Sequence, residues 1–257
     1  MEQDRDKDRR FYEEALRIVQ IGEEQGIPFR LLGAIAVKHH CPNYRYLYDK
    51  MSRALTDIDY VTYSKFRPRM KKFFTSLGYT PHERLIASPM GEYRHIYWNE
   101  EKGWQVDIFF DRLNMCHVVD FRGRLELSKP TIPLADIVLQ KMQIVDINAK
   151  DVKDTTILLL EHDIGDTEEE TVNGAYIASL LSDDWGYYYT VTTNLKKVKS
   201  FLGEFEPLTD ENRKAVGGKI DKLLARIEEA PKSLKWKVRA RVGPKVKWYN
   251  VVEEVYR

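Results

Sequence analysis

Between residues 8 and 25 apolar side chains recur at Phe11, Ala15, Ile18 and Val19, with Gly22 in the same series and charged residues between them. That spacing predicts an amphipathic helix. Gly26 and Pro28 break it, and the apolar run over residues 29–32 reads as a short strand. Small residues follow Gly33 in "GAIAVKHH", so the expected order is strand, glycine turn, helix. Residues 41–54 read as a loop or short helix. Residues 57–63 are rich in β-branched and aromatic types and predict a strand. Residues 65–77 predict an amphipathic helix closed by Gly78. "EYRHIYWNEEKGWQVDIFFD" reads as two strands around a polar turn at residues 99–103, hence a hairpin, and "RGRLELSKPTIP" as extended. From Leu134 the pattern turns helical, over residues 134–145, 149–162, 168–181, 195–201 and 211–230.

Composition narrows the class. With 43% apolar and 32% charged residues, the 257-residue chain has the make-up of a soluble globular protein. It lacks a run of about 18 apolar residues, so no membrane partner is expected. "MEQDRDKDRR" has no apolar leader region, which makes a cytoplasmic location the expectation. Cys41 and Cys116 are too few for a disulfide framework and read as reduced thiols. A net charge of +1 excludes a molecule that grips nucleic acid over its whole surface.

The candidate chemistry is carboxylate chemistry. In "TDIDYV", Asp57 and Asp59 are two residues apart on an expected strand, so both project to one face while Ile58 faces the other. Two such carboxylates repel unless a cation lies between them, and hard oxygen donors suit Mg²⁺ or Mn²⁺. Read alone, the pair is more simply two exposed aspartates at a strand edge. In "QVDIF", however, Asp107 is embedded in an apolar run, where a charge needs a partner or a metal. Three aspartates on two strands make a divalent-metal platform for phosphoryl chemistry. Asp111 reads as the cap of that strand. Gly33 opens a helix whose free amides can hold phosphate oxygens, although such junctions are more often plain turns.

Together "LLGA", "TDIDYV" and "QVDIF" resemble the nucleotidyltransferase superfamily, which includes DNA polymerase beta, antibiotic nucleotidyltransferases and AbiEii-like toxins of abortive-infection systems. "PLADIVLQKMQIVDINAKDVKD" is similar to the segment after the core in the AbiEii-like proteins, matching at Lys141, Lys150, Asp151 and Asp154. The resemblance covers roughly residues 25–165. With the change of pattern near residue 130, it gives the expectation of an α+β fold: a small mixed β-sheet nucleotidyltransferase domain with flanking helices over residues 1–130 and a helical C-terminal domain over 131–257. It implies Asp57, Asp59 and Asp107 as catalytic metal ligands, and Gly33, Ala34, Arg53, Lys141 and Asp154 about the nucleotide. Mg²⁺ or Mn²⁺ is the implied cofactor and an NTP the substrate, with the NMP passing to a hydroxyl of RNA, protein or a small molecule. An antitoxin-type partner belongs to the same implication. Ala34 stands where the family turn usually carries a second Gly or a Ser, which keeps open an alternative: a weak or inactive member acting as a nucleotide- or RNA-binding module.

Other motifs carry less. His162-Asp163 lacks the further ligands of a metal-dependent phosphohydrolase, and His39 and His40 read more simply as helix residues than as nucleotide contacts. Residues 232–250 hold seven Lys or Arg and no acid, with Trp236, Trp248 and Tyr249 interleaved. Cations and stacking aromatics suit a nucleic-acid backbone. The simpler reading is a basic helix pair whose tryptophans pack on the helical domain.

Overall fold

The computed structural model describes residues 2–252, with side chains from residue 8 onward, so the start of the charged N-terminal stretch lies outside the described residues. Helix α1 (Glu2–Glu24) leads to β1 (Arg30–Leu32), and α2 (Gly33–His40) opens on the glycine itself. A short α3 (Tyr46–Lys50) precedes β2 (Ile58–Thr62) and α4 (Arg67–Ser76). Next come β3 (Thr80–Pro81), α5 (Glu83–Ile86), β4 (Arg94–Asn99), β5 (Trp104–Phe110), β6 (Arg112–Asn114) and β7 (Val118–Asp120). Helices α6 (Leu134–Met142) and α7 (Ala149–Glu161) are followed by strands β8 (Asp163–Gly165) and β9 (Thr171–Asn173). Helices α8 (Gly174–Leu181), α9 (Trp185–Phe201), α10 (Asp210–Glu229) and α11 (Leu234–Val242) follow.

These elements form an α+β fold of two compact units. One comprises residues 1–39, 54–114 and 119–133; the other comprises 40–53, 115–118 and 134–257. Two segments upstream of residue 130 thus group with the helical unit, and they carry Arg53 and His117.

The first unit is built on a five-stranded sheet in the order β1-β2-β5-β4-β3. β2 and β5 are parallel and the other pairs antiparallel, so the sheet is mixed. Its side chains alternate between two faces. Ile58, Tyr60, Tyr97, Val106, Ile108 and Phe110 form one buried cluster with Phe11 and Ile18 of α1, Phe29, and Phe74 of α4. The Tyr60 hydroxyl donates to the Ala15 carbonyl at 2.9 Å, fixing α1 on that face. Asp59, Ile96 and Asp107 are left to the opposite face. Helix α4 starts with Pro68 in its first turn and stops before Gly78, whose φ of +82° suits a residue without Cβ. The segment expected to be extended after residue 121 is instead largely turns. Only Thr131 bridges to β1, beside Leu31.

The helical unit departs from expectation in two places. The helix expected from residue 168 begins at Gly174, because Thr171–Asn173 pairs in parallel with Asp163–Gly165. Asn173 then caps α8, its side chain accepting from the Tyr176 amide at 2.9 Å. Helix α9 begins at Trp185, well before residue 195, with Asp184 accepting from the Tyr187 amide at 3.0 Å. The aromatic run over residues 185–189 has weak intrinsic helix preference, and burial decides its conformation. Cys41 is fully buried, its thiol directed at the Ile157 carbonyl, and burial pushes its pKa far above the ordinary thiol value. No helix among the described residues is long and apolar enough to cross a membrane.

His117 is buried in the helical unit, stacked on Tyr187 with ring centroids 4.8 Å apart and Nε2 2.8 Å from the Thr190 hydroxyl. Burial lowers its pKa from 6.5 to about 4. Between those values the unfolded chain binds a proton that the folded one refuses, so stability falls as pH drops from 6.5 and levels off below 4. His95, buried in the sheet unit, is lowered to about 4 for the same reason. The prediction is that the stability advantage of wild type over His117→Asn shrinks by about 2–3 kcal/mol between pH 7 and pH 4. Urea melts across that range measure it.

Candidate carboxylate site on the mixed sheet

Asp59 is the second residue of β2, and the parallel ladder sets it directly beside Asp107 of β5. Both follow from core packing, since Ile58 and Tyr60, and Val106 and Ile108, take the other face. Asp57 lies one residue before β2, near enough for its charge to raise the proton affinity of Asp107. The structure therefore sets Asp59 beside Asp107, with Asp57 within electrostatic reach of Asp107. Asp107 is 3% exposed, whereas Asp57 and Asp59 are partly open.

Two neighbours not singled out in the sequence hold Asp107. The Arg94 guanidinium donates to Oδ2, and the Gln105 amide donates to Oδ1 at 2.6 Å. In the β4–β5 hairpin Ile96 stands opposite Asp107, so Arg94, two residues away on the same face, reaches it diagonally. The guanidinium also lies 5.4 Å over the Phe109 ring. Burial pushes the Asp107 carboxyl above the usual carboxylate range; Arg94 and Gln105 pull it back in part, and Asp57 adds to the rise. The signal for Arg94 was the hairpin register counted back from the turn at residues 99–103.

The glycine turn abuts the same carboxylates. Leu32 pairs with Asp59, and Gly33 follows with φ of +70°. A Cβ at Gly33 would stand 2.6 Å from Asp59 Oδ2, so the backbone at the start of α2 is in close contact with that carboxylate. Ala34 follows in the first turn of α2, half-buried.

The donor set is all hard oxygen and suits Mg²⁺ or Mn²⁺ in kind. As placed, no three His, Cys, Asp or Glu side chains among the described residues converge closely enough to hold a metal ion. Arg94 supplies the positive charge at Asp107, and a divalent cation taking both Asp107 oxygens has to displace it.

Arg53, Lys141, Asp151 and Asp154 come together elsewhere, within the helical unit. Arg53 grips Asp154 through two bonds, at 2.9 and 2.8 Å. Lys141 Nζ lies 2.7 Å from Asp154 Oδ2 and 3.0 Å from Asp151 Oδ1. Asp154 is fully buried. Burial works against the Lys141 ammonium, but Asp154 and Asp151 outweigh it and hold its pKa above the ordinary lysine value. Burial likewise works against the Asp154 charge, and Lys141 and Arg53 hold its pKa below the ordinary carboxylate value. Two cations and two carboxylates satisfy one another here.

The remaining candidates have structural partners. Asp111 sits in a left-handed turn at φ +59° and accepts from the Ser64 amide at 2.9 Å, ending β5. His39 Nδ1 meets the Tyr12 hydroxyl at 2.6 Å. The His162 ring nitrogens meet the carbonyls of Glu170 and His40 at 3.1 and 2.9 Å. Trp236 packs edge-on against Tyr188, and Trp248 donates to the Thr190 hydroxyl at 3.0 Å and packs against Tyr189. Both tryptophans are thus turned to α9.

No family model matches the chain, and no curated protein matches it.

Two substitutions test this geometry. Gly33→Ala forces an alanine into the left-handed region and against Asp59, and should cost about 1–2 kcal/mol in urea melts. Asp154→Ala leaves Arg53 and Lys141 buried without their shared carboxylate, and should cost about 3–5 kcal/mol by the same measurement.

Proposed function

We propose that the protein is a metal-dependent nucleotidyltransferase that moves an NMP from an NTP to a hydroxyl acceptor. The observation that carries this reading is the side-by-side placement of Asp59 and Asp107 across the parallel β2–β5 pair, with Gly33 in close contact with Asp59. Asp57, Asp59 and Asp107 are the residues that would hold Mg²⁺ or Mn²⁺, which would supply charge neutralisation at the phosphates. The amides of the first turn of α2, at Gly33 and Ala34, receive phosphate oxygens without a side-chain hydroxyl. The acceptor oxygen bonds to the α-phosphorus as the α–β phosphoanhydride bond breaks, and pyrophosphate leaves with the electron pair. The acceptor proton passes to a carboxylate oxygen of Asp107.

Arg53, Lys141 and Asp154 enter this proposal only as a paired cluster, since its cations reach a phosphate at the expense of Asp151 and Asp154. The acceptor is an RNA end, a protein or a small molecule, and the reaction belongs in the cytoplasm, where NTPs are held. A second reading, a nucleotide-binding module without turnover, is favoured by one contact: Arg94 on Asp107.

Incubation with α-labelled NTPs, Mn²⁺ or Mg²⁺ and bulk RNA, protein extract or small alcohols should transfer label. Asp59→Asn and Asp107→Asn should each reduce transfer by at least about a hundredfold, or 2.7 kcal/mol of barrier. Transfer that persists in either variant sinks the assigned roles. Calorimetry separates the second reading. If Arg94 competes with the cation, Arg94→Met binds Mn²⁺ more tightly than wild type does; nucleotide binding without transfer in both proteins supports the module instead.

A further inference from the structure

Helix α11 presents its leucine and its valines outward. Trp236 and Arg239 face α9, with Trp236 5.0 Å from Tyr188 and the Arg239 guanidinium 4.7 Å over Trp185. The other face carries Leu234, Val238 and Val242, spaced at i, i+4 and i+8, so they form one ridge. They are 78%, 56% and 42% exposed, and Val246, just past the helix, is 56% exposed. Lys235, Lys237, Arg241 and Lys245 flank the ridge, all exposed and without an ion-pair partner among the described residues. Residues 232–250 contain no acid to offset them.

We infer that this face docks an acidic amphipathic helix of another protein. A ridge of aliphatic side chains four residues apart is the shape that fits the groove between ridges of a second helix. The flanking cations select a partner whose apolar stripe is bordered by Asp or Glu. A second copy docked ridge to ridge is excluded, because that isologous pairing sets like charges against each other. Single-stranded nucleic acid is disfavoured, because the aromatics it would stack on are turned to α9. A bilayer surface is disfavoured because the outward face has no aromatic and the nine-residue helix is short for a membrane-lying one. The inference is independent of the carboxylate chemistry.

The test uses the full chain and a labelled synthetic helix of about 20 residues, with leucines at i and i+4 bordered by glutamates, followed by fluorescence anisotropy. A scrambled peptide, phosphatidylglycerol vesicles and an oligouridylate are the comparison arms. Saturable binding of the acidic helix is expected, weakened about tenfold by Val238→Asp, a loss of 1.4 kcal/mol. Lys235→Glu with Arg241→Glu should weaken it by at least as much, with the loss shrinking at high salt. All three side chains are exposed, so thermal melts of the variants should match wild type. No binding of the acidic helix, or binding that Val238→Asp leaves unchanged, overturns the inference. So does tighter binding of the vesicles or the oligouridylate through the same ridge.

Discussion

Setting Asp59 beside Asp107 on neighbouring parallel strands creates a repulsion that the surrounding structure has to balance. The arrangement is imposed from the opposite face of the sheet. Ile58, Tyr60, Val106 and Ile108 must all enter the core against α1 and α4, and period-two alternation then leaves the carboxylates no other side. A slip of one residue between β2 and the core would drive two charges into the aromatic cluster. The hydrophobic packing of the sheet is therefore also what fixes the acidic pair. Arg94, Gln105 and Gly33 are the local adjustments that make the pair tolerable.

The two charged clusters handle burial differently. Asp154 is fully enclosed and shared between Arg53 and Lys141, whose side chains are themselves 6% and 8% exposed. Opening that cluster means uncovering several charges at once, which gives it the character of a fixed internal strut. The guanidinium on Asp107 comes from a side chain 22% exposed and makes its contact from the rim. A partly open partner can swing away and be replaced by another cation at modest cost. By energetics alone, the sheet carboxylates are the exchangeable pair.

Much of this was legible in the chain. The aspartates, the glycine turn and the change to helices after residue 130 are local signals, written in alternation, small residues and helical spacing. Arg94 was passed over, because an arginine on an amphipathic strand looks like any solvated charge unless the hairpin register is counted back from its turn to set it diagonal to Asp107. The pairing of β8 with β9 depends on three-residue segments too short for periodicity to register. Helix α9 was hidden by aromatic residues whose preference for a helix is set by burial. Residues 40–53 group with the helices through contacts between positions far apart in the chain, the grip of Arg53 on Asp154 among them. The basic C-terminal stretch was visible as a charge run, but the inward turn of its tryptophans was not.

Cys41 gives the fold a built-in reporter. Its sulfur is enclosed within the helical unit and kept protonated by the absence of water, and only a thiolate attacks an alkylating or oxidising reagent. Chemical modification of this position thus waits on transient exposure of the interior. Its rate measures how often that interior opens, and oxidative damage there marks chains that have already come apart.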